Sequence, residues 1–332
     1  WAKLRLGCDR ALEKQSEVGS PATYADKNTN FMRTFLVRIL LFFLSVSPAI
    51  MAQSRDSLQN SLLQIARKAD AQVGIAVIFH GADTITVGND DRYPLMSVFK
   101  FHQALAVIDY LKRNGLSLDS RVYIKKEDLL EDTHSPLRDR YPQGERWLSV
   151  GDLLTYTLQQ SDNNACDILF RYIGGTEVAD AYLRRIGREH FCISATEEQM
   201  NADPHTSYDN WTTPLEAASL LEYFLTDTTD TFEQNGRWFV LQNLLECSTG
   251  QDRLAAPLEK TEAVLGHKTG TGGRNAQRRL IATNDIGFVL LPNGHHYTIA
   301  VFVKDSAMTP EENARIIAEV SEAVYRYACT IE

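Results

Sequence analysis

The sequence predicts an α+β fold in three layers: an antiparallel five-stranded sheet flanked by helices, built from both chain ends, with a mostly helical second domain. Three observations predict it. Near one end, Val73-Gly74-Ile75-Ala76-Val77-Ile78-Phe79 is a continuous apolar run, and Gly81-Ala82-Asp83 turns it into a second strand pattern over 84–87, which reads as a hairpin. Between about Ser97 and Leu245 strand patterns give way to apolar residues at helical spacing. After Ala263 the strand patterns return, rich in Val and Ile. Strands from both ends with helices inserted between them require a sheet completed from both termini.

Taken in order, residues 1–31 are polar and without periodicity, and are expected to be upstream sequence read through in translation. Met32 and Arg33 then precede an apolar run over 35–44, followed by Ser45, Ser47, Pro48, Ala49 and Ala52. A basic start, an apolar stretch and small residues are the marks of a secretory signal peptide, here 32–52, cleaved near Ala52 and Gln53. That implies export to the periplasm. A membrane anchor is the competing reading, but Pro48 and an apolar run shorter than the ~20 residues of a span weigh against it.

Residues 57–70 carry Leu58, Leu62, Leu63, Ile65 and Ala66 on one helical side. Further helices are predicted over 150–160, 164–172, 178–186 and 214–225. Residues 188–213 are long, polar and aperiodic, which in a compact domain marks a functional loop or disorder. Strands follow at 264–270, at 279–282 with 285–291, and at 297–304, the last two joined by Pro292-Asn293-Gly294. Thr309-Pro310-Glu311-Glu312 opens a helix, with Pro at its first position and acids in its first turn. The expected division is a sheet domain of 53–96 with 246–332, a helical domain of 97–245, and a site between them.

The chain has 332 residues, a net charge of -9 and a hydrophobic content of 44%, ample for a core. The acidic balance argues against a nucleic-acid partner, since phosphate binding needs a basic face. Cys8, Cys166, Cys192, Cys247 and Cys329 form no C-x-x-C pair, so neither a zinc site nor any other metal is implied. Cys166 and Cys192 could pair in an oxidising compartment, or remain buried free thiols.

Four short motifs carry chemistry. A serine hydroxyl needs a base within hydrogen-bond reach to act as a nucleophile. In Ser97-Val98-Phe99-Lys100 a lysine three residues on lies on the same helical face. Taken alone this is equally a capping serine beside a solvated lysine. Ser161-Asp162-Asn163 would alone be a helix-ending turn, Lys268-Thr269-Gly270-Thr271 an edge strand, and Glu197-Glu198-Gln199-Met200-Asn201 a solvated acidic turn.

Together, in this order and secondary structure, they form the set carried by class A β-lactamases and penicillin-binding proteins. The chain resembles a class A serine β-lactamase over residues 53–332, and the strands from Asn284 to Gly287 and from Val301 to Asp305 are most similar to the cephalosporinase-type branch found in Bacteroides and its relatives. The resemblance implies a β-lactamase/transpeptidase-like fold, a small-molecule β-lactam substrate, no cofactor, no stable membrane anchor and a monomer. It assigns Ser97 as nucleophile, Lys100 as holder of the network that takes its proton, and Ser161 as relay to the departing nitrogen. Glu197, four residues before Asn201, becomes the base for the deacylating water, with Asn201 positioning that water; Glu198 is the rival by adjacency but lacks that spacing. Asn163 would bind the substrate amide. Lys268, Thr269, Gly270, Thr271 and Arg253 would hold its carboxylate, with Arg278 and Arg279 as alternatives to Arg253, and the N–H groups of Ser97 and Thr271 would form the oxyanion hole.

Two departures from the family pattern matter. The usual Arg–Asp clamp on the Glu197 loop is replaced by Ala195 and Asn210, so the loop must be held otherwise or be looser. Met96, not Cys, precedes the nucleophile, which lowers the expectation of carbapenem hydrolysis. The rival readings share the serine but not the turnover. They are a penicillin-sensing domain and a cell-wall D,D-peptidase, both without a working deacylation base.

Overall fold

The structure is a computed structural model and describes residues 54–227 and 234–331. The expectations for residues 1–31 and 32–52 lie outside the described residues. Helix α1 (Arg55–Lys68) leads into strands β1 (Gln72–Phe79), β2 (Asp83–Val87) and the short β3 (Tyr93–Pro94). A 3-10 turn over Met96–Val98 opens helix α2 (Phe99–Arg113). Then come β4 (Arg121–Ile124), α3 (Pro136–Arg140), β5 (Arg146–Ser149), α4 (Val150–Gln159), α5 (Asn163–Ile173) and α6 (Thr176–Arg185). The chain continues through β6 (Phe191–Cys192), α7 (Glu197–Ala202), β7 (Trp211–Thr212), α8 (Pro214–Thr226) and α9 (Gln234–Leu245). It ends with β8 (Val264–Thr271), β9 (Leu280–Leu290), β10 (His296–Ser306) and α10 (Pro310–Ala328).

The five-stranded antiparallel sheet forms in the order β2-β1-β10-β9-β8. Strand β1 pairs with both β2 and β10, so Ile75 lies between Val87 and Val301. Alternation along β1 sends its two sets of side chains to opposite faces. Val73, Ile75, Val77 and Phe79 join Leu58 and Leu62 of α1 and Ile317, Val320 and Val324 of α10 in one core. Gly74 faces the other way, with Pro214 at the start of α8 close to it. With both faces covered, β1 and β9 are buried along nearly their whole length, which explains their continuous rather than alternating apolar patterns.

The strand expected from 279–282 with 285–291 is β9, which runs without a break over Leu280–Leu290 although Thr283, Asn284 and Asp285 interrupt its apolar pattern. All three are buried, and each finds a side-chain or main-chain partner. One expectation needs correction: residues 188–213 are ordered rather than a bare loop, with β7 pairing with both β3 and β6, and α7 lying between β6 and β7 along the chain. These pieces are too short to show periodicity, and long-range bonds hold them.

Candidate active site

Ser97 lies in the 3-10 turn ahead of α2, and Met96 before it adopts a left-handed φ of 45°. Such backbone is costly for a residue with a side chain and persists only where its surroundings enforce it. Asn284 of β9 supplies part of that enforcement, its amide donating to the carbonyls of Pro94 at 2.7 Å and Leu95 at 3.2 Å. Strand β8 supplies more. A Cβ on Gly270 would stand 2.7 Å from the Leu95 carbonyl and 3.1 Å from Met96 Cβ, so only glycine allows this approach.

Lys100, on the first turn of α2, is fully buried. Its Nζ donates to Ser97 Oγ at 3.0 Å, to the Ser161 carbonyl at 2.8 Å and to Asn163 Oδ1 at 2.6 Å, and pairs with Glu197 Oε1 at 2.7 Å. An ammonium carries three protons, so four acceptors share them. Ser97 Oγ in turn donates to Glu197 Oε1 at 3.3 Å. Serine, lysine and glutamate thus close a triangle in which the hydroxyl proton has a direct acceptor.

Ser161 also has left-handed backbone, φ 58°. Asp162 fixes that turn. Its buried carboxylate caps α5 by accepting from Ala165 N–H at 2.8 Å, and also accepts from Leu137 N–H at 2.7 Å and Ser135 Oγ at 3.0 Å. Burial pushes the Asp162 carboxyl up, and these bonds oppose that. Asn163 donates its amide to Thr133 Oγ1 at 2.8 Å.

Lys268 on β8 donates to Ser161 Oγ and to the Thr269 carbonyl, both at 3.0 Å. Its complete burial lowers its pKa to about 8, so the ammonium gives up its proton more easily than a free lysine. Arg253 reaches the same strand, bonding the Gly270 carbonyl at 3.0 Å and Thr271 Oγ1 at 2.7 Å. Thr269 Oγ1 lies 2.5 Å from Thr249 Oγ1. Asn201 sits on α7, one turn beyond Glu197, and donates to the Asp132 carbonyl at 2.7 Å. The geometry therefore brings Ser97, Lys100, Ser161, Asn163, Glu197 and Lys268 into one connected network, flanked by Thr269, Gly270, Thr271 and Arg253.

Two residues that carry the Glu197 segment were not assigned that task from sequence. Asp167 of α5 accepts the N–H groups of Glu197 at 2.9 Å and Glu198 at 2.8 Å, capping α7 from outside. Burial first, then the Glu197 charge, raise the Asp167 carboxyl to about 7. Its sequence signal is nil, because a single acid within a helical pattern reads as a solvent-facing residue. Asn210, noted only as a departure, supplies the missing clamp. Its oxygen accepts from Ser194 and Ala195 N–H at 2.8 and 2.9 Å, and its amide donates to the Ala195 carbonyl at 2.8 Å. Among the described residues the cysteines are unbridged, Cys166 and Cys192 included. Among the same residues no helix is long and apolar enough to cross a membrane.

A helix-flanked antiparallel sheet with a buried lysine between a serine and a glutamate defines a serine hydrolase of the acylating type. Comparison with known proteins gives the family. Residues 55–328 match the model of the β-lactamase enzyme family. A β-lactamase of Bacteroides uniformis is 38% identical over 295 residues, 89% of this chain and 99% of that protein. The crystal structure of the TLA-3 extended-spectrum β-lactamase superposes with a TM-score of 0.80 at 39% identity, covering 82% of this chain and 99% of that one. A class A β-lactamase from Bacteroides cellulosilyticus gives 0.78 at 38% identity, covering 82% and 97%. The chain belongs to the β-lactamase enzyme family and is a class A serine β-lactamase, a hydrolase of the β-lactam amide bond.

Proposed function

We propose that the enzyme hydrolyses β-lactams in two steps, with cephalosporins as preferred substrates, and that it confers resistance from the periplasm after removal of residues 32–52 as a signal peptide. The observation that carries the mechanism is the triangle: Lys100 Nζ at 3.0 Å from Ser97 Oγ and 2.7 Å from Glu197 Oε1, with the serine hydroxyl already bonded to that carboxylate. Ser97 Oγ attacks the lactam carbonyl, its proton passing into the Lys100–Glu197 network. The carbonyl oxygen is received by the N–H groups of Ser97 and Thr271, each such donor contributing roughly 3 kcal/mol. The C–N bond breaks as Ser161, bonded to Lys268, delivers a proton to the nitrogen. Asn163 takes the substrate side-chain amide. Lys268, Thr269, Thr271 and Arg253 attract its carboxylate. Glu197 then removes a proton from water, Asn201 helping to orient it, and that water cleaves the ester and frees Ser97.

Cephalosporin preference draws support from the resemblance of the strands around Asn284 and Val301 to cephalosporinase-type enzymes, and from the similarity to TLA-3, which is described as extended-spectrum. The test is turnover of a chromogenic cephalosporin by residues 53–332, set against a penicillin. Sustained colour over many equivalents, with higher kcat/KM for the cephalosporin, supports the reading. A burst of one equivalent that stops assigns the chain instead to the acylating, non-hydrolysing behaviour of a penicillin-sensing domain or D,D-peptidase.

A further inference from the structure

The segment that carries Glu197 returns to the nucleophile. A 3-10 turn over Pro204–Tyr208 follows α7, and the Asn210 carbonyl just beyond it accepts from Leu95 N–H at 2.8 Å. Tyr208 packs against a small buried cluster of Met96, Ile281 and Ala282. Met96 is the left-handed residue directly before Ser97. Ile281 and Ala282 belong to β9 and hold the far end of the β8–β9 hairpin: the Ala282 carbonyl accepts from Gly272 N–H at 2.8 Å, one residue beyond Thr271. The Tyr208 ring thus touches both the turn that carries Ser97 and the strand that carries the partner of Thr271's neighbour. Its hydroxyl is tied down as well. It donates to Asp305 Oδ1 of β10 and accepts from Asn275 Nδ2 at 3.2 Å, while Asn275 also donates to Asp305 Oδ1 at 3.1 Å. Asn275 is the knot of the hairpin loop, its Oδ1 accepting from the N–H groups of Gln277 at 3.1 Å and Arg279 at 3.0 Å. Burial first, then the Asp305 bond, raise the Tyr208 phenol to about 12, so it remains a donor. The two-step hydrolysis as described uses none of Tyr208, Asn275 and Asp305.

We propose that Tyr208 is a positioning residue for the oxyanion hole: packed against Met96 and β9, and latched to Asn275 and Asp305, it sets the separation of the Ser97 and Thr271 N–H groups. This rests on the hydrolysis proposed above, in which those two donors receive the carbonyl oxygen. They sit on different elements, and two such donors stabilise a developing charge only at the right spacing. The Ser97 N–H follows Met96, and the Thr271 N–H lies at the end of β8, where Gly272 is tied to Ala282. Tyr208 contacts Met96 on one side and Ala282 on the other, so it acts as a spacer between the two donors. Without its hydroxyl the ring can slide, Asn275 has one partner fewer, and the hairpin end can shift relative to Ser97. A tetrahedral intermediate forms in acylation and again in deacylation, so both steps should slow. Loosening of the Glu197 segment alone would slow deacylation only. Binding of intact substrate is spared, because Lys268 and Thr269 lie further back along β8 and are buried there.

The experiment compares wild type with Tyr208→Phe, which keeps the ring and its packing, and with Asp305→Ala, which cuts the latch from the other side. Two quantities are read: the single-turnover acylation rate with a chromogenic cephalosporin, and inhibition by phenylboronic acid. Boron bonded to Ser97 Oγ is tetrahedral and puts an oxygen where the oxyanion develops, so its affinity reports the hole. Both variants should lose acylation rate and boronate affinity by the same factor, roughly tenfold, short of the ~10²-fold or more that outright loss of one donor costs. The cephalosporin concentration giving half-maximal acylation should stay unchanged. The double variant should lose no more than either single one, since both cut the same latch. Asp305→Asn, which keeps an acceptor oxygen for Tyr208, should match wild type. Unchanged acylation and boronate affinity in Tyr208→Phe, a loss confined to deacylation, or losses that add in the double variant overturn the proposal. Neither quantity requires turnover, so their failure is distinct from failure of the hydrolytic reading.

Discussion

Asn210 grips Ala195 by both of its peptide groups, donating to the carbonyl at 2.8 Å and accepting from the N–H at 2.9 Å. Two residues before Glu197, an uncharged side chain thus does what an ion pair does elsewhere in the family. Asn210 is fully buried, where a neutral amide incurs less desolvation cost than two charges.

Asn210→Ala removes three side-chain hydrogen bonds to the backbone and strands the N–H groups of Ser194 and Ala195. At about 1 kcal/mol per bond, unfolding free energy should fall by about 2–3 kcal/mol. Urea denaturation checks this. Deacylation should slow more than acylation, because Glu197 rather than Ser97 loses its support, and pre-steady-state kinetics with a cephalosporin separates the two steps.

Glu197→Gln keeps the shape of the side chain and removes its basicity. The acyl-enzyme should then persist, with kcat down by about 10²–10⁴-fold, as loss of a general base costs. Intact-mass spectrometry after mixing with a cephalosporin should find the adduct, and Ser97→Ala should abolish it. Failure to find an adduct in Glu197→Gln would remove Glu197 from the deacylation step.

Asp167 gives a pH dependence. Its folded carboxyl, raised to about 7, holds a proton over a range in which the unfolded chain, at about 3.9, has lost it. The folded state therefore binds the extra proton between those values, and the contribution to stability is full below about 4 and lost as pH rises through 7. The stability difference between wild type and Asp167→Asn should decline from pH 5 to pH 8. Denaturation series at fixed ionic strength read it directly, and a difference that grows with pH would contradict the assigned protonation.

Gly270→Ala places a methyl group 2.7 Å from the Leu95 carbonyl, on backbone rather than on a side chain that could swing away. Strand β8 must then move back from the nucleophile. A shift of about 1 Å costs on the order of a hundredfold in rate, so acylation should fall by that factor while the circular dichroism spectrum is retained.

The fold was legible because burial on both faces writes itself as runs such as Val73–Phe79, and because Pro310 behind the Thr309 cap marks a helix start without ambiguity. The motifs were legible where spacing is local: Ser97 and Lys100 are three residues apart, and a helical turn brings their side chains together. What escaped depends on contacts between distant residues. Asp167 reaches Glu197 across thirty positions, and β6, α7 and β7 owe their order to Asn210 and Asp167 rather than to periodicity. Asn284 had a signal, as the middle of three consecutive polar residues, Thr283 to Asp285, in a strand otherwise apolar.

The pairing of β1 with β10 ties Gln72 to Lys304, one near the start of the described chain and one near its end. In the sheet order β2-β1-β10-β9-β8, the last strand made is the middle one. A growing chain therefore carries two half-sheets, β2-β1 and β9-β8, each with an open apolar edge, until the final segment arrives to join them. Local contacts cannot commit such a polypeptide early, and its folding is slowed by the long loop that must close. A premature stop anywhere ahead of His296 leaves both halves unjoined, so a shortened product forfeits the entire sheet rather than its last piece.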